Sequence, residues 1–322
     1  MNYDIIGDIH GHADALKALL VDMGYRNTQG AWRHRDRQAI FVGDFVDRGP
    51  QQVETVDVVR RMVDADSARA VMGNHEFNAI AWFLPDPELP GEYLRQRHSA
   101  KYGDKNFRQH EAFLREVNGT PNHQEIINWF LSLPLWLDLG EIRVVHACWH
   151  QGYMDKLRDH LDDKQRLNKD LVVAASRQPA DSRDKDNADF SVFKAVEAVT
   201  KGIEVPLPAG KKFRDKDGHE RDRVRVRWWD DTALTYSQSA LLSDEERVGL
   251  PRDPIPIHAR IGYDGGTPLF IGHYWLNGVP CLWSSKVACV DYSIAKGGKL
   301  VAYRWDDGDP VLLASKFHWV GK

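Results

Sequence analysis

The sequence is short of cysteine, and the three it has, Cys148, Cys281 and Cys289, make no even disulfide framework. That scarcity predicts a reducing compartment rather than a secreted, cross-linked scaffold. No uninterrupted apolar run is long enough to cross a bilayer, so no membrane partner is expected. Internal repeats, a heptad seam and a Gly-rich loop carrying the lysine of a P-loop are missing as well, which excludes solenoids, coiled coils and that kind of nucleotide cradle. Charge of one sign is not in excess: 43 basic side chains face 47 acidic ones, a net charge of −4. Such a balance excludes a nucleic-acid binder driven by bulk charge and leaves only a local basic patch open. Met1 leads straight into the strand-like Tyr3-Asp4-Ile5-Ile6, which predicts no signal peptide and a cytoplasmic protein.

What is present is enough apolar material for a large core. The 322 residues are 42% apolar and 28% charged, and they fit one large α/β domain or a domain with a sizeable insertion. The strand Asp4-Ile5-Ile6 ends in Gly7-Asp8-Ile9-His10-Gly11, followed by a helix with Leu16, Leu19, Leu20 and Met23 at helical spacing. In extended backbone Asp8 and His10 share a side, and glycines allow close approach to whatever they hold. A helix cap with a satisfied histidine would also account for that pentapeptide. The strand Ala39-Ile40-Phe41-Val42 ends in Gly43-Asp44-Phe45-Val46-Asp47-Arg48-Gly49-Pro50, poor material for either core or helix, before a helix over Gln51 to Val63. A third strand, Arg69 to Met72, ends in Gly73-Asn74-His75-Glu76. Neighbouring Asn74 and His75 are expected to point to different sides, one toward a metal and one toward a reacting group.

These three turns read GDxHG, GDxxDRG and GNHE, in order and at ordinary βα spacing. Together they resemble the phosphoprotein phosphatase branch of the calcineurin-like metallophosphoesterases, which includes Ser/Thr protein phosphatases and bacterial symmetrical diadenosine-tetraphosphate hydrolases. The resemblance continues at His146, after the strand Ile142 to Val145, and at His273, after Pro268 to Ile271. It implies that Asp8, His10 and Asp44 hold one divalent ion and that Asp44, Asn74, His146 and His273 hold a second, with Asp44 bridging. It further implies attack by a hydroxide held between the ions. Arg48 and Asn74 would bind the phosphoryl group, and His75 would act as proton donor supported by Asp47. Nitrogen and oxygen ligands without thiolates favour manganese, iron, zinc or nickel over calcium, and manganese is taken as the first candidate. Cys148 stands where the family commonly has glycine and reads as a small buried residue, with thiolate ligation left open.

Elsewhere the pattern is looser. From Trp82 to about Asn128, the basic stretch with Arg95, Arg97, His98, Lys101, Arg108 and His110 reads as helices and loops with a solvated face. Arg177 to Asp189 reads as a polar loop or lid segment, and Lys216-Asp217-Gly218-His219 as a hairpin turn. The strand Glu220 to Trp229 would alternate Arg221, Arg223, Arg225 and Arg227 with Val224, Val226 and Trp228. Arg-Trp-Trp-Asp resembles the turn near which the family places a second phosphate-binding arginine, which nominates Arg227. Asp291 reads as structural.

The expected fold is α/β, a four-layer α/β/β/α sandwich of two mixed sheets in a single domain spanning 1–322. An inserted cap region over about 155–265 would cover one rim of the site. The leading functional reading is a phosphomonoesterase acting on a phosphoprotein or a small phosphorylated metabolite. A symmetrical dinucleoside polyphosphate hydrolase is the second reading, and a non-catalytic binding module the third, which would need a missing ligand. No specific nucleic acid is expected as a partner.

Overall fold

Alternate residues of the central strands enter different apolar clusters, and that choice builds the layers. The computed structural model describes every residue except 180, 182, 183, 187, 188, 215–217, 264, 310 and 322, and the side chain of 185. In β1 (Asn2–Ile6), Tyr3 and Ile5 join one cluster and Ile6 the other. In β2 (Arg37–Phe41), Ile40 follows the first, Ala39 and Phe41 the second. Side chains in a strand alternate, so the same strands can serve a sheet–sheet layer and a sheet–helix layer at once.

The first sheet continues through β3 (Ala68–Ala70). The second begins with β4 (Trp136–Asp138) and β5 (Arg143–Val145) and is completed by β6 (Leu269–Ile271) and β7 (Val287–Cys289). The chain then returns to the first sheet as β8 (Asp291–Tyr292), β9 (Lys299–Trp305) and β10 (Phe317–Gly321). The first sheet has the order β8-β9-β1-β2-β3, with β10 paired to β9. Its β1–β2 and β2–β3 pairs are parallel, while β9 runs antiparallel to its neighbours. The second has the order β7-β6-β5-β4, parallel except for the last pair. Both are mixed sheets, as expected.

Between them lie Ile5, Ile40 and Val71 from one sheet and Val144, Phe270 and Ala288 from the other, all fully buried. The outer face of the first sheet packs with Leu16, Leu19 and Leu20 of α1 (Ala13–Asp22) and Val56, Val59 and Met62 of α2 (Gln52–Asp64). Three more helices, α3 (Asn74–Phe83), α4 (Gly103–Val117) and α5 (Pro121–Leu131), follow β3. Strands β2 and β3 and the second sheet's β5 and β6 all end within a few residues of a candidate site side chain, so the two sheets deliver the site from their carboxyl ends.

The 155–265 stretch carries the helices Lys169–Ser176 and Val192–Lys201 and two small ribbons. The first ribbon pairs Glu204–Pro206 with Arg223–Arg225. The second pairs Phe213–Arg214 with Glu220–Arg221, and Lys216 and Asp217 of its turn lie outside the described residues. The single strand expected over Glu220 to Trp229 is two short strands with a break at Asp222. The alternation survives the break: Val224, Val226 and Trp228 are buried, whereas the four arginines keep solvent contact. Part of the polar segment Arg177 to Asp189 also lies outside the described residues. Its ends are held by ion pairs, Arg177 forked onto Asp86 and Asp186 onto Arg223.

One buried charge ties the first sheet's strands together. Asp4 has no solvent exposure and accepts from Arg37 Nε at 2.8 Å, Arg304 Nε at 3.1 Å and the Tyr25 hydroxyl at 3.1 Å. Removing one partner of such a pair strands the other without water. Asp4→Ala is therefore expected to lower unfolding free energy by about 3 kcal/mol or more, measured by urea denaturation. A change below about 1 kcal/mol, the range of exposed pairs, would contradict the role given to this carboxylate.

Candidate active site

Gly73 and Gly272 are where the local sequence decides the site's geometry. A Cβ on Gly73 would lie 2.2 Å from Asp44 Oδ1, and one on Gly272 would lie 2.1 Å from Asp8 Oδ1. The two carboxylates can occupy their positions only because those side chains are missing. The surrounding backbone is strained in the same places. His10, Asp44, Asp47, Arg48 and His273 all have positive φ, between 47° and 77°, a region that L residues adopt at a cost.

The strain is held by hydrogen bonds that converge on Asp44. Its carbonyl accepts from the amides of Ile9 (3.1 Å) and His10 (2.9 Å), which ties the first strand-end loop to the second. Its Oδ1 accepts from the His75 amide at 2.9 Å, which brings in the third. Its own amide donates to Glu76 Oε2 at 2.8 Å, and Glu76 also accepts from the amides of Phe45 (2.8 Å) and Gly73 (3.0 Å). Glu76 sits in the expected GNHE motif but received no role from the sequence. Its function is to staple the two turns around Asp44.

Asp44 Oδ2 is left facing a ring of imidazoles: His146 Nε2 at 3.4 Å, His10 Nε2 at 3.8 Å and His75 Nε2 at 3.9 Å. Two of these rings are oriented from behind, since His10 Nδ1 lies 2.9 Å from the Val46 carbonyl and His146 Nδ1 2.7 Å from the Val42 carbonyl. A carbonyl only accepts, so both rings carry Nδ1–H and turn the Nε2 lone pair inward. Asn74 Oδ1 stands 3.2 Å from His146 Nε2 and 2.8 Å from His273 Nδ1. The His273 amide donates to Asp8 Oδ2 at 3.0 Å. Asp8, His10, Asp44, Asn74, His146 and His273 are thus brought together, all buried. Asn74 and His75 open helix α3 rather than extending a strand, and they still diverge, because successive helical side chains point about 100° apart.

Among these six residues, four buried atoms have no hydrogen-bond partner among the described residues: Asp8 Oδ1, His10 Nε2, Asp44 Oδ2 and His273 Nε2. Unpartnered buried acceptors are costly, and cations among them would remove that cost. The residues fit divalent metal ions on that ground. Two triads have ligand atoms all within 4.8 Å of one another, His10–Asp44–His75 and Asp44–His146–His273, and Asp44 is common to both. No sulfur belongs to either. Cys148 is fully buried, and burial pushes its thiol well up. Burial opposes ionisation of Asp44, but His146, His75 and His10 outweigh it and hold that carboxyl well below the ordinary range. Burial, then His75, takes His10 down to about 4, so its ring is neutral at neutral pH as a ligand must be.

His75 Nδ1 lies 2.5 Å from Asp47 Oδ2. Burial lowers the affinity of this ring for a proton, but Asp44 and Asp47 prevail and raise it above the imidazole norm. The stretch read as a solvated face needs correction here. Arg95 is half-buried and donates to Asn78 and Gln109, and His110, with no exposure, places Nδ1 2.8 Å from the same Asp47 Oδ2. The signal was available: His110, Phe113, Leu114 and Val117 fall at helical spacing on the buried side of α4. His98, from the same stretch, does stay exposed.

Arg48 is exposed, with its guanidinium 5.4 Å from the Trp275 ring centroid. Arg227 reaches the Gln238 carbonyl and lies 3.8 Å from Asp230. Its neighbour Arg225 is the arginine set over Tyr274, at 5.7 Å, and paired with Glu204 at 3.1 Å. Asp291 accepts from the amides of Trp275 (2.7 Å) and Ser293 (3.0 Å), a structural role.

Residues 1–194 match the family model described as calcineurin-like phosphoesterase, and His273 lies beyond that stretch. Among curated proteins, the chain is 29% identical over 174 residues to bis(5'-nucleosyl)-tetraphosphatase PrpE (asymmetrical) of Oceanobacillus iheyensis, covering 54% of this chain and 64% of that one. It is 31% identical over 163 residues to the protein of the same name from a Geobacillus species, covering 48% and 61%. The chain therefore spans less than two thirds of the length of these relatives. A solved cold-active protein-tyrosine phosphatase of a psychrophilic Shewanella is similar at 17% identity and a TM-score of 0.48, over 94% of this chain and 75% of that one. Among the described residues no helix is long and apolar enough to cross a membrane.

Gly272→Ala would place a methyl group 2.1 Å from Asp8 Oδ1 and 2.7 Å from Val42 Cγ2, so Asp8 is expected to be displaced while circular dichroism still reports the folded sheets. Metal bound after loading, measured by mass spectrometry, should fall from about two ions per chain to about one. Unchanged metal content would contradict the placement of Asp8.

Proposed function

The chain belongs to the calcineurin-like phosphoesterase family, and we propose that it hydrolyses phosphate esters with the help of two divalent cations, manganese being the first candidate. The observation that carries this reading is Asp44, whose Oδ2 has no partner among the described residues and which belongs to both potential ligand triads. Asp8, whose Oδ1 has no partner, would take the place of His75 in the first triad and hold one ion with His10 and Asp44, and Asp44, Asn74, His146 and His273 would hold the other. When bound, such a pair offsets the charge of a phosphate and activates water at neutral pH.

The chain's own residues supply the rest. Arg48, exposed at the edge of the site, forks onto phosphoryl oxygens, and the Trp275 ring limits where its guanidinium can go. Water adds to phosphorus, the bond to the leaving oxygen breaks, and that oxygen takes the proton carried on His75 Nε2. The Asp47 carboxylate at Nδ1 fixes the ring and favours its protonated form. Arg227, nominated from the sequence as a second phosphate ligand, has its guanidinium on the Gln238 carbonyl and near Asp230, and it is given no part in this reading. The binding-module reading requires a missing ligand, and each expected position is filled.

Two substrate classes are compatible with this chemistry. A phosphomonoester needs no more than the groups named. A dinucleoside polyphosphate is favoured by the names of the curated relatives, which are called asymmetrical rather than the symmetrical type expected from the motifs. A panel of p-nitrophenyl phosphate, phosphopeptides and diadenosine tetraphosphate, with product analysis, separates the classes and the position of cleavage.

His75→Asn should retain both metals and lose about 10²–10⁴-fold in rate on alkyl phosphates, with a smaller loss on p-nitrophenyl phosphate, whose leaving group needs little protonation. Equal losses on both esters would remove His75 from the role of proton donor.

A further inference from the structure

Beyond Trp275 lies a polar pocket that the reaction as described does not use. It has a volume of about 220 Å³ and is lined by Asn277, Gly278, Tyr292, Lys296, Gly297 and Lys299, among others. Among the described residues no Asp or Glu lines it, and no carboxylate is within ion-pair distance of either lysine. Lys296 is exposed, and the Lys299 ammonium is anchored on the Gly278 carbonyl at 3.0 Å. Other cations of the chain do carry a carboxylate partner, as Arg223 has Asp186, Arg225 has Glu204 and Lys316 has Asp306. Two lysines beside glycines, with no counter-charge among the described residues, favour an anion in this pocket.

The pocket is joined to the site by one aromatic ring. Trp275 carries the Arg48 guanidinium 5.4 Å from its centroid and the Lys296 ammonium 4.4 Å from it. A cation that receives the reacting phosphate and a cation of the pocket thus share one indole. The arrangement is pre-set by Asp291, whose two oxygens hold the amides of Trp275 at 2.7 Å and Ser293 at 3.0 Å. Both residues have positive φ, 51° and 60°, and Ser293 Oγ also bonds the Leu276 carbonyl at 3.0 Å. The platform and the turn that carries Lys296 are therefore fixed relative to each other.

We propose that this pocket is a distal anion subsite, in which Lys296 and Lys299 hold a non-reacting phosphate of the same substrate whose terminal phosphate meets Arg48. This rests on the phosphoesterase reading and narrows it to substrates with a chain of phosphates. A lone phosphate ester would occupy the metal site and leave the pocket to water.

The test uses p-nitrophenyl phosphate, which has no second anionic group, as reporter, with free manganese held constant. Inorganic triphosphate and orthophosphate are compared as inhibitors of the wild type and of Lys296→Met, which keeps the stem against Trp275 and removes the charge. Triphosphate inhibition should weaken by about 10-fold or more, while orthophosphate inhibition and the KM for the reporter stay within about two-fold. Lys299→Met should act in the same direction. Triphosphate inhibition that is unchanged, or that weakens in step with orthophosphate, would overturn the subsite. Calorimetric titration of triphosphate into the manganese-loaded proteins keeps the question separate from activity. If the wild type cleaves no ester yet Lys296→Met weakens triphosphate binding, the phosphoesterase reading fails and the subsite stands. If binding is equal in both proteins, the subsite fails.

Discussion

A single carboxylate holds the candidate site together. Asp44 lies in a left-handed conformation with no solvent, and it stays there because three strand-end loops bond to it at once. Ile9 and His10 donate to its carbonyl, His75 donates to its Oδ1, and Glu76 accepts its amide. One oxygen is thereby committed to structure and the other, Oδ2, is left bare among imidazoles. A group so placed would be unfavourable in an apolar core. In the proposed function it would serve as the shared ligand of two cations, since a cation restores what burial removes.

The two-sheet architecture explains why such a cluster can exist. The parallel strands β1, β2 and β3 end on the same edge, and β5 and β6 of the second sheet end facing them. Each strand contributes a short loop, so residues more than 260 apart in sequence come within hydrogen-bond distance, the His273 amide donating to the Asp8 carboxylate. The apolar layer between the sheets, with Val42 and Val144 in it, is the rigid base on which the strained turns rest. Strain at His10, Asp44, Asp47, Arg48 and His273 is sustained by that base and by the bonds to Glu76 and Asp44.

Much of this was legible in the amino-acid sequence because the chemistry forces recognisable residues at strand ends. A glycine that admits a carboxylate, as at Gly73, and an acid followed by a histidine two positions on leave a short, dense signal. Glu76 was visible as a letter in a motif but not as a staple, because its partners are backbone amides that carry no side-chain signature. His110 and Arg95 were hidden for another reason. A run rich in basic residues reads as a solvated face, and only the helical spacing of His110 with Phe113, Leu114 and Val117 betrays that one side is buried. In the middle stretch, alternation identified the buried face of Val224, Val226 and Trp228, but not which arginine turns toward Tyr274. A break at Asp222 and the packing of the ribbon on Glu204 decide that, and both depend on tertiary contacts.

The claim on which the account stands is that Asp44 is shared by two metal ions. The most direct measurement is anomalous diffraction at the manganese edge from crystals of the protein grown with manganese. The account predicts two peaks about 3.5–4 Å apart on either side of Asp44 Oδ2, one bounded by Asp8 and His10 and the other by Asn74, His146 and His273. A pocket without anomalous density, or a single peak away from Asp44, would contradict it.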